Sequence, residues 1–243
     1  MLKFFRKIRF NSIDNHKAIK YFLYALGEIS LVLIGILLAL QINSRNAAIK
    51  DSKQIDDILE VIHNDLEADL KQAKWNQSYY DNKLLLIDSI VFSKLQRERY
   101  NNCFKCFTNH TFHRPFSPNT KGYNMLVAIA QDNNIRKDTL IGTILSFYSE
   151  MIDKSIQNNK LILENAVENN KYYRDNFDGF SQFYLNQKLT KDLVERLLED
   201  KKILNQMAFH HVIIQYNMLP FLKGVNKEGQ RIKTMIENLK TLE

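Results

Sequence analysis

The densest group of reactive side chains in this sequence is Cys103-x2-Cys106-x3-His110-x2-His113. Thiolate and imidazole are the donors that hold zinc in a tetrahedron. The two ligand pairs of a zinc site ordinarily stand about a dozen or more residues apart, whereas these four residues fall within 11. The set Cys103, Cys106, His110 and His113 therefore fits a metal poorly. Two other readings of the thiols stay open: a Cys103–Cys106 disulfide, the simplest state in an oxidising compartment, and incidental thiols. A covalent haem site needs His directly after the second Cys, and position 107 is Phe. The sequence calls for no metal and no cofactor.

The second group is built around Glu28, a carboxylate inside an apolar run. A charge at the centre of a bilayer costs about 2.5–3.5 kcal/mol on insertion scales, so the residue asks for a partner. Gly35 lies seven residues on and Ala39 four more, which puts all three on one helical face. Gly35-x3-Ala39 is also a small-x3-small pair, the spacing that lets two helices approach closely. Glu28, Gly35 and Ala39 are read as a helix-association site. A proton-carrying role for Glu28 stays open, as does a carboxylate protonated or wetted near the interface.

Other patterns fail on their own chemistry. Gly224-x4-Gly229 is followed by Gln230-Arg231, not by the Lys-Ser/Thr that a phosphate loop requires. The stretch from Arg174 to Leu185 resembles a calcium loop at Asp178-Gly179 but has no acid at its first or last position. No H-E-x-x-H and no G-x-S-x-G occurs. His210-His211 reads as a packed core histidine beside an exposed one. Trp75, Tyr79 and Tyr80 read as packing between the first two helices.

These groups must be positioned by a chain of 243 residues with 45% hydrophobic and 25% charged content. That composition belongs to a folded protein. Only 7 Gly and 3 Pro are present, which argues against turn-dense all-β folds. Residues Tyr21 to Ile42 read YFLYALGEISLVLIGILLALQI. At about 1.5 Å per residue this helix spans about 33 Å, enough for a hydrocarbon core of about 30 Å. It is too long for the apolar core of a cleaved signal peptide. Residues 1–20 carry +5, with Lys3, Arg6, Lys7, Arg9, Lys17 and Lys20 against Asp14 alone. The basic excess predicts a cytoplasmic N-terminus and an external remainder. The rest of the chain after residue 43 carries 28 Lys/Arg against 25 Asp/Glu. The net charge of +7 is thus mostly a topology signal, and no nucleic-acid partner is expected. MLKFFRKIRF is read either as a short interfacial helix on anionic lipid or as a solvated basic tail.

The stretch MLKFFRKIR…YFLYALGEISLVLIGILLALQIN, Met1 to Asn43, resembles the N-terminal signature of a family of single-span membrane proteins of Gram-negative bacteria known as a domain of unknown function. A weaker similarity covers Phe116 to Ser149. The resemblance implies an inner-membrane protein with a periplasmic domain, and it implies no activity and no functional residues. Two departures stand out: Ser44-Arg45-Asn46 occupies the place of an aromatic anchor, and the Cys/His cluster is not part of the pattern.

Beyond the span, the absence of Gly between Gly35 and Gly122 reads as helix. Ile55, Leu59, Ile62 and Leu66 form one apolar stripe. Helices are predicted over 46–74, 80–95, 122–131 and 136–173, with a loop at 101–120. A further helix runs from 191 behind a Thr190 cap until Pro220 and Gly224 break it, and a last one covers 229–242. The expected fold is all-α: a basic cytoplasmic tail (1–20), a transmembrane helix (21–43) and a periplasmic multi-helix bundle (44–243). The expected function is a non-enzymatic, membrane-anchored scaffold or accessory subunit. Its partners would be the lipid bilayer and either further copies of itself or another inner-membrane protein. The alternative is a ligand-sensing or ion-coupled accessory subunit.

Overall fold

The computed structural model describes residues 18–92, 97–130 and 139–240. Among the described residues every regular element is helical and no strand occurs. The basic residues before Ala18, with the MLKFFRKIRF segment, lie outside them. The chain divides into two compact units, residues 1–57 and 58–243.

Helix α1 covers Ala18–Val91 without interruption. The sequence reading ends one helix at Lys74 and starts another at Tyr80. The helix runs through instead, because Ala73, Asn76 and Tyr80 continue the buried stripe and no Gly or Pro intervenes. In the first unit α1 carries one window long and apolar enough to cross a membrane, with mean hydropathy 2.2 and none of it buried. Leu31, Leu37 and Leu40 expose 72%, 63% and 60% of their surface, an arrangement that water does not favour. Glu28, Gly35 and Ala39 are exposed on this helix, and a Cβ on Gly35 would meet nothing within 4 Å.

The second unit is a bundle. After α1 come a 3-10 turn (Arg97–Tyr100), α2 (Phe104–Thr108), a second 3-10 turn (Asn109–Thr111) and α3 (Lys121–Ile129). Then follow α4 (Thr139–Asn176), α5 (Phe180–Asn186), α6 (Lys191–Glu199) and α7 (Lys201–Ile213). A π-helical turn (Ile214–Met218) leads into α8 (Leu219–Lys240). Helices α7 and α8 run back along α4 and along the part of α1 from Ile58 onward, where Asn226 approaches Gln77 and Lys233 approaches Glu67. Gly229 marks where the three long rods converge: a Cβ there would lie 3.1 Å from Leu70 Cδ2 and 3.5 Å from Phe147 Cζ. One end is closed by an aromatic cluster in which Tyr100, Phe107, Tyr173 and Phe183 are buried with Ile87, Ile90 and Met207.

Two helix boundaries correct the sequence reading. The single helix expected from 191 to Pro220 is cut at Asp200, whose carboxylate accepts from Lys202 N at 2.8 Å and Ile203 N at 3.1 Å and so caps α7. Thr190 caps α6 as expected, accepting from Leu193 N. Pro220 and Gly224 then fail to break the chain: α8 contains both. Proline lacks the N–H that would bond Tyr216 O, and the wider π turn just before it shifts the hydrogen-bond register so that the rod continues.

Candidate functional site

The segment from Phe107 to Thr120 lies along the bundle with Phe107, Thr108, His110, Thr111 and Phe116 buried and Phe112, Pro115, Ser117 and Asn119 exposed. A partly buried connection must satisfy its own backbone polar groups, and here helix side chains do so. On α1, Ile62, Asp69, Asn76, Lys83 and Ile90 recur every seven residues and are all buried. The three polar members of that column face the segment, with neighbours one turn away assisting. Asp69 Oδ1 accepts from Asn119 N at 2.9 Å and from Asn119 Nδ2 at 2.7 Å. Gln72 accepts from Ser117 N, and Asn76 Nδ2 donates to Pro115 O at 2.9 Å. Tyr80 Oη donates to Arg114 O at 2.7 Å, and Lys83 Nζ donates to Phe112 O.

Helix α4 grips the same segment from its other side. Asn159 accepts from Phe116 N at 3.0 Å and donates to Phe116 O at 2.7 Å, as a second strand would. Asn169 donates to His110 O, Asn170 to Thr111 O and Tyr173 Oη to Phe107 O. The segment therefore runs antiparallel to α1 and α4 as a strap between them. Its far end passes Gly122, whose N–H donates to Asp65 Oδ2 at 2.8 Å. A Cβ on Gly122 would stand 2.5 Å from Ile62 Cγ1 and 2.8 Å from Ile62 N, so glycine is required by the approach of α3 to α1.

Where the strap meets α7, basic groups gather. His210 is fully buried; its Nδ1 is 2.6 Å from Asn165 Oδ1 and its Nε2 is 3.3 Å from Lys83 Nζ. Asn165 Oδ1 also accepts from Asn169 Nδ2 at 3.2 Å. These partners assign the hydrogen to Nδ1 and leave Nε2 as the acceptor for Lys83. The Lys83 ammonium further lies 5.2 Å from the Tyr79 ring centroid and 5.7 Å from that of Tyr80. His110 is fully buried against Tyr173, and neither of its ring nitrogens has a hydrogen-bond partner. Burial pushes the Lys83 amine down to about 7. Burial, then the Lys83 charge, pushes His110 down to about 3. The same two causes lower His210 well below the ordinary imidazole range and lower His113. Asp69 goes the other way: burial raises it to about 6, against the two Asn119 hydrogen bonds that lower it.

Cys103 and Cys106 are joined as a disulfide, at a Cα–Cα distance of 5.3 Å, in the turn that opens α2. Both sulfurs are thus used. His110 points into the core and His113 lies half-buried beside the strap, so the four residues do not converge as one ligand set. His210 is enclosed as expected, whereas His211, expected to be exposed, is half-buried, with its Nε2 3.1 Å from Asp88 Oδ1. Trp75 corrects its expectation. It is 64% exposed and is covered on one side by the Arg114 guanidinium, 4.1 Å from its ring centroid.

Sequence reasoning missed Lys83, Asp69, Asn76, Asn159, Asn165 and Asn169. The signal was available for α1, where a polar residue stands in a core position at every seventh place.

One cavity of about 400 Å³ opens between α4 and the π turn with α8. Its apolar wall includes Phe147, Met151, Phe221 and Val225, and Glu150 and Glu228 also line it. The π turn places Tyr216 at its mouth, 73% exposed. That volume falls within the range of small-molecule pockets.

Comparison with protein-family models, with curated proteins and with solved structures found no match.

Proposed function

We propose that this protein is a non-enzymatic, membrane-anchored scaffold or accessory subunit of the bacterial envelope. Residues 21–43 are the span, the basic tail is cytoplasmic and the helical domain is periplasmic. The observation that carries this reading is the exposed apolar window of α1, with no part buried, in a chain whose second unit buries its own apolar residues normally. Glu28, Gly35 and Ala39 are the contact points for a neighbouring helix, supplied by another copy or by another inner-membrane protein.

The test is purification of the full-length chain from membranes in a maltoside detergent, with native mass and identification of co-purifying chains. A homo-oligomer or a stoichiometric partner that is lost in Gly35→Leu supports the reading. A chain released from membranes by alkaline carbonate refutes the anchor. Equal mass and partner recovery in wild type, Glu28→Gln and Gly35→Leu refutes the helix contact. A phosphatase fused after the last residue is expected to be active only if the domain is periplasmic.

A second reading, a ligand-sensing accessory subunit, is favoured by the cavity between α4 and α8.

A further inference from the structure

The geometry points to an organic-cation site in the cavity between α4 and α8, and this rests on the ligand-sensing reading above. Three aromatic side chains, Phe147, Tyr216 and Phe221, and two carboxylates, Glu150 and Glu228, line the same cavity of about 400 Å³. Aromatic rings present negative faces, and a quaternary ammonium is attracted to them without needing any hydrogen bond. The same wall holds three such rings and two carboxylates.

Lys154 in the lining pairs with Glu150, and Arg231 beside it pairs with Glu228, so the two carboxylates and their two cations carry no net charge. Lys154 sits 2.5 Å from Glu150, and Arg231 sits 2.8 Å from Glu228. Both are surface pairs in which each side chain is more than 40% exposed, so each is weak and water-screened. Because these pairs are exposed and weak, either carboxylate can exchange its cation for a ligand cation held on the rings. Backbone geometry keeps the site open. The π turn sets Tyr216 outward, and Gly224 in the wall has nothing within 4 Å of where a Cβ would stand. The apolar floor of Met151 and Val225, both nearly fully buried, excludes a strongly hydrated ion in favour of an alkylated one.

The probe is choline, with its neutral carbon isostere 3,3-dimethylbutan-1-ol as control. Titrations follow heat on the full-length protein in maltoside micelles, which carry no choline headgroup. Saturable choline binding below about 20 mM, with the alcohol at least about fivefold weaker, is the expected result. Tyr216→Ala should weaken choline about fivefold and Tyr216→Phe should retain it, since the ring face is what acts. Glu228→Gln should weaken binding, and Lys154→Met should strengthen it about twofold to threefold by removing the competing charge. Tyr216 is too exposed for its loss to threaten folding. Equal binding of choline and the alcohol would overturn the cation site and leave a ligand pocket standing. Binding of neither would overturn the cation site and also remove the cavity as support for ligand sensing. Choline binding unchanged in Tyr216→Ala and Glu228→Gln would place it elsewhere and overturn the assignment.

Discussion

His110 and Asp69 are both enclosed by the bundle, and burial moves their protons in opposite senses. For His110 the folded value is pushed down from 6.5 to about 3, so on acidification the unfolded chain takes the proton first. Stability is then lost as pH falls through the window between those two values. For Asp69 the folded value is raised from 3.8 to about 6, so the folded chain takes the proton first and acidification through that window stabilises it. Between about pH 7 and about pH 4, His110 removes about 3 kcal/mol and Asp69 returns about 2 kcal/mol. His210, lowered for the same reasons as His110, adds to the loss. His110→Phe is a gentle substitution, because neither imidazole nitrogen has a partner to orphan and a ring is kept against Tyr173. Asp69→Asn keeps the acceptor for both Asn119 donors. Urea unfolding of each variant, followed by near-ultraviolet circular dichroism across that pH range, reads the difference directly. Relative to wild type, His110→Phe should be about 3 kcal/mol less acid-sensitive, and Asp69→Asn about 2 kcal/mol more so. Parallel pH profiles for wild type and His110→Phe would refute the enclosed neutral imidazole and the strap geometry that encloses it.

Raising the pH from about 7 to about 9 should stabilise the domain by about 2 kcal/mol through Lys83, whose folded amine loses its proton before the unfolded one does, and Lys83→Met should abolish that slope in the same urea assay. Gly122→Ala forces Ile62 away from the new methyl and should cost about 2–3 kcal/mol, seen as a lowered unfolding midpoint. Asn159→Ala strips Phe116 of both backbone partners and should cost about 2–3 kcal/mol, with faster amide hydrogen exchange at Phe116.

Much of the architecture was legible in the chain, and what escaped has a common cause. The apolar run after Tyr21 and the stripe Ile55, Leu59, Ile62, Leu66 follow from periodicity alone, and α1 bears them out as helix. The Thr190 cap is local chemistry and was equally readable. The cut at Asp200 was missed because apolar spacing continued across it, while the cap there depends on a single carboxylate turning back on its own chain. Pro220 misled because its penalty is removed by a π turn that no sequence pattern announces. The strap was read as an ordinary loop, since Pro115 and Pro118 mark irregular backbone but say nothing about burial. Its partners Asn159, Asn169 and Asn170 look like a solvated face of a helix. Only the tertiary fold shows that they substitute for a sheet. Asp69, Asn76 and Lys83 could have been found from their seven-residue recurrence within a buried stripe.

The strap also sets a rule about length. Connections between helices normally tolerate an added residue, and a run such as 109–120, with two prolines and several polar residues, is where an engineer would place an epitope tag or a fluorophore. Here each clamp along α1 meets one particular backbone atom, from Asn119 back to Phe112. One inserted residue displaces the chain by about 3.3 Å and puts every clamp beyond it out of reach of its atom. The tolerant site is instead the exposed turn at Asp178-Gly179, where no Cβ would collide and no long-range clamp holds the chain.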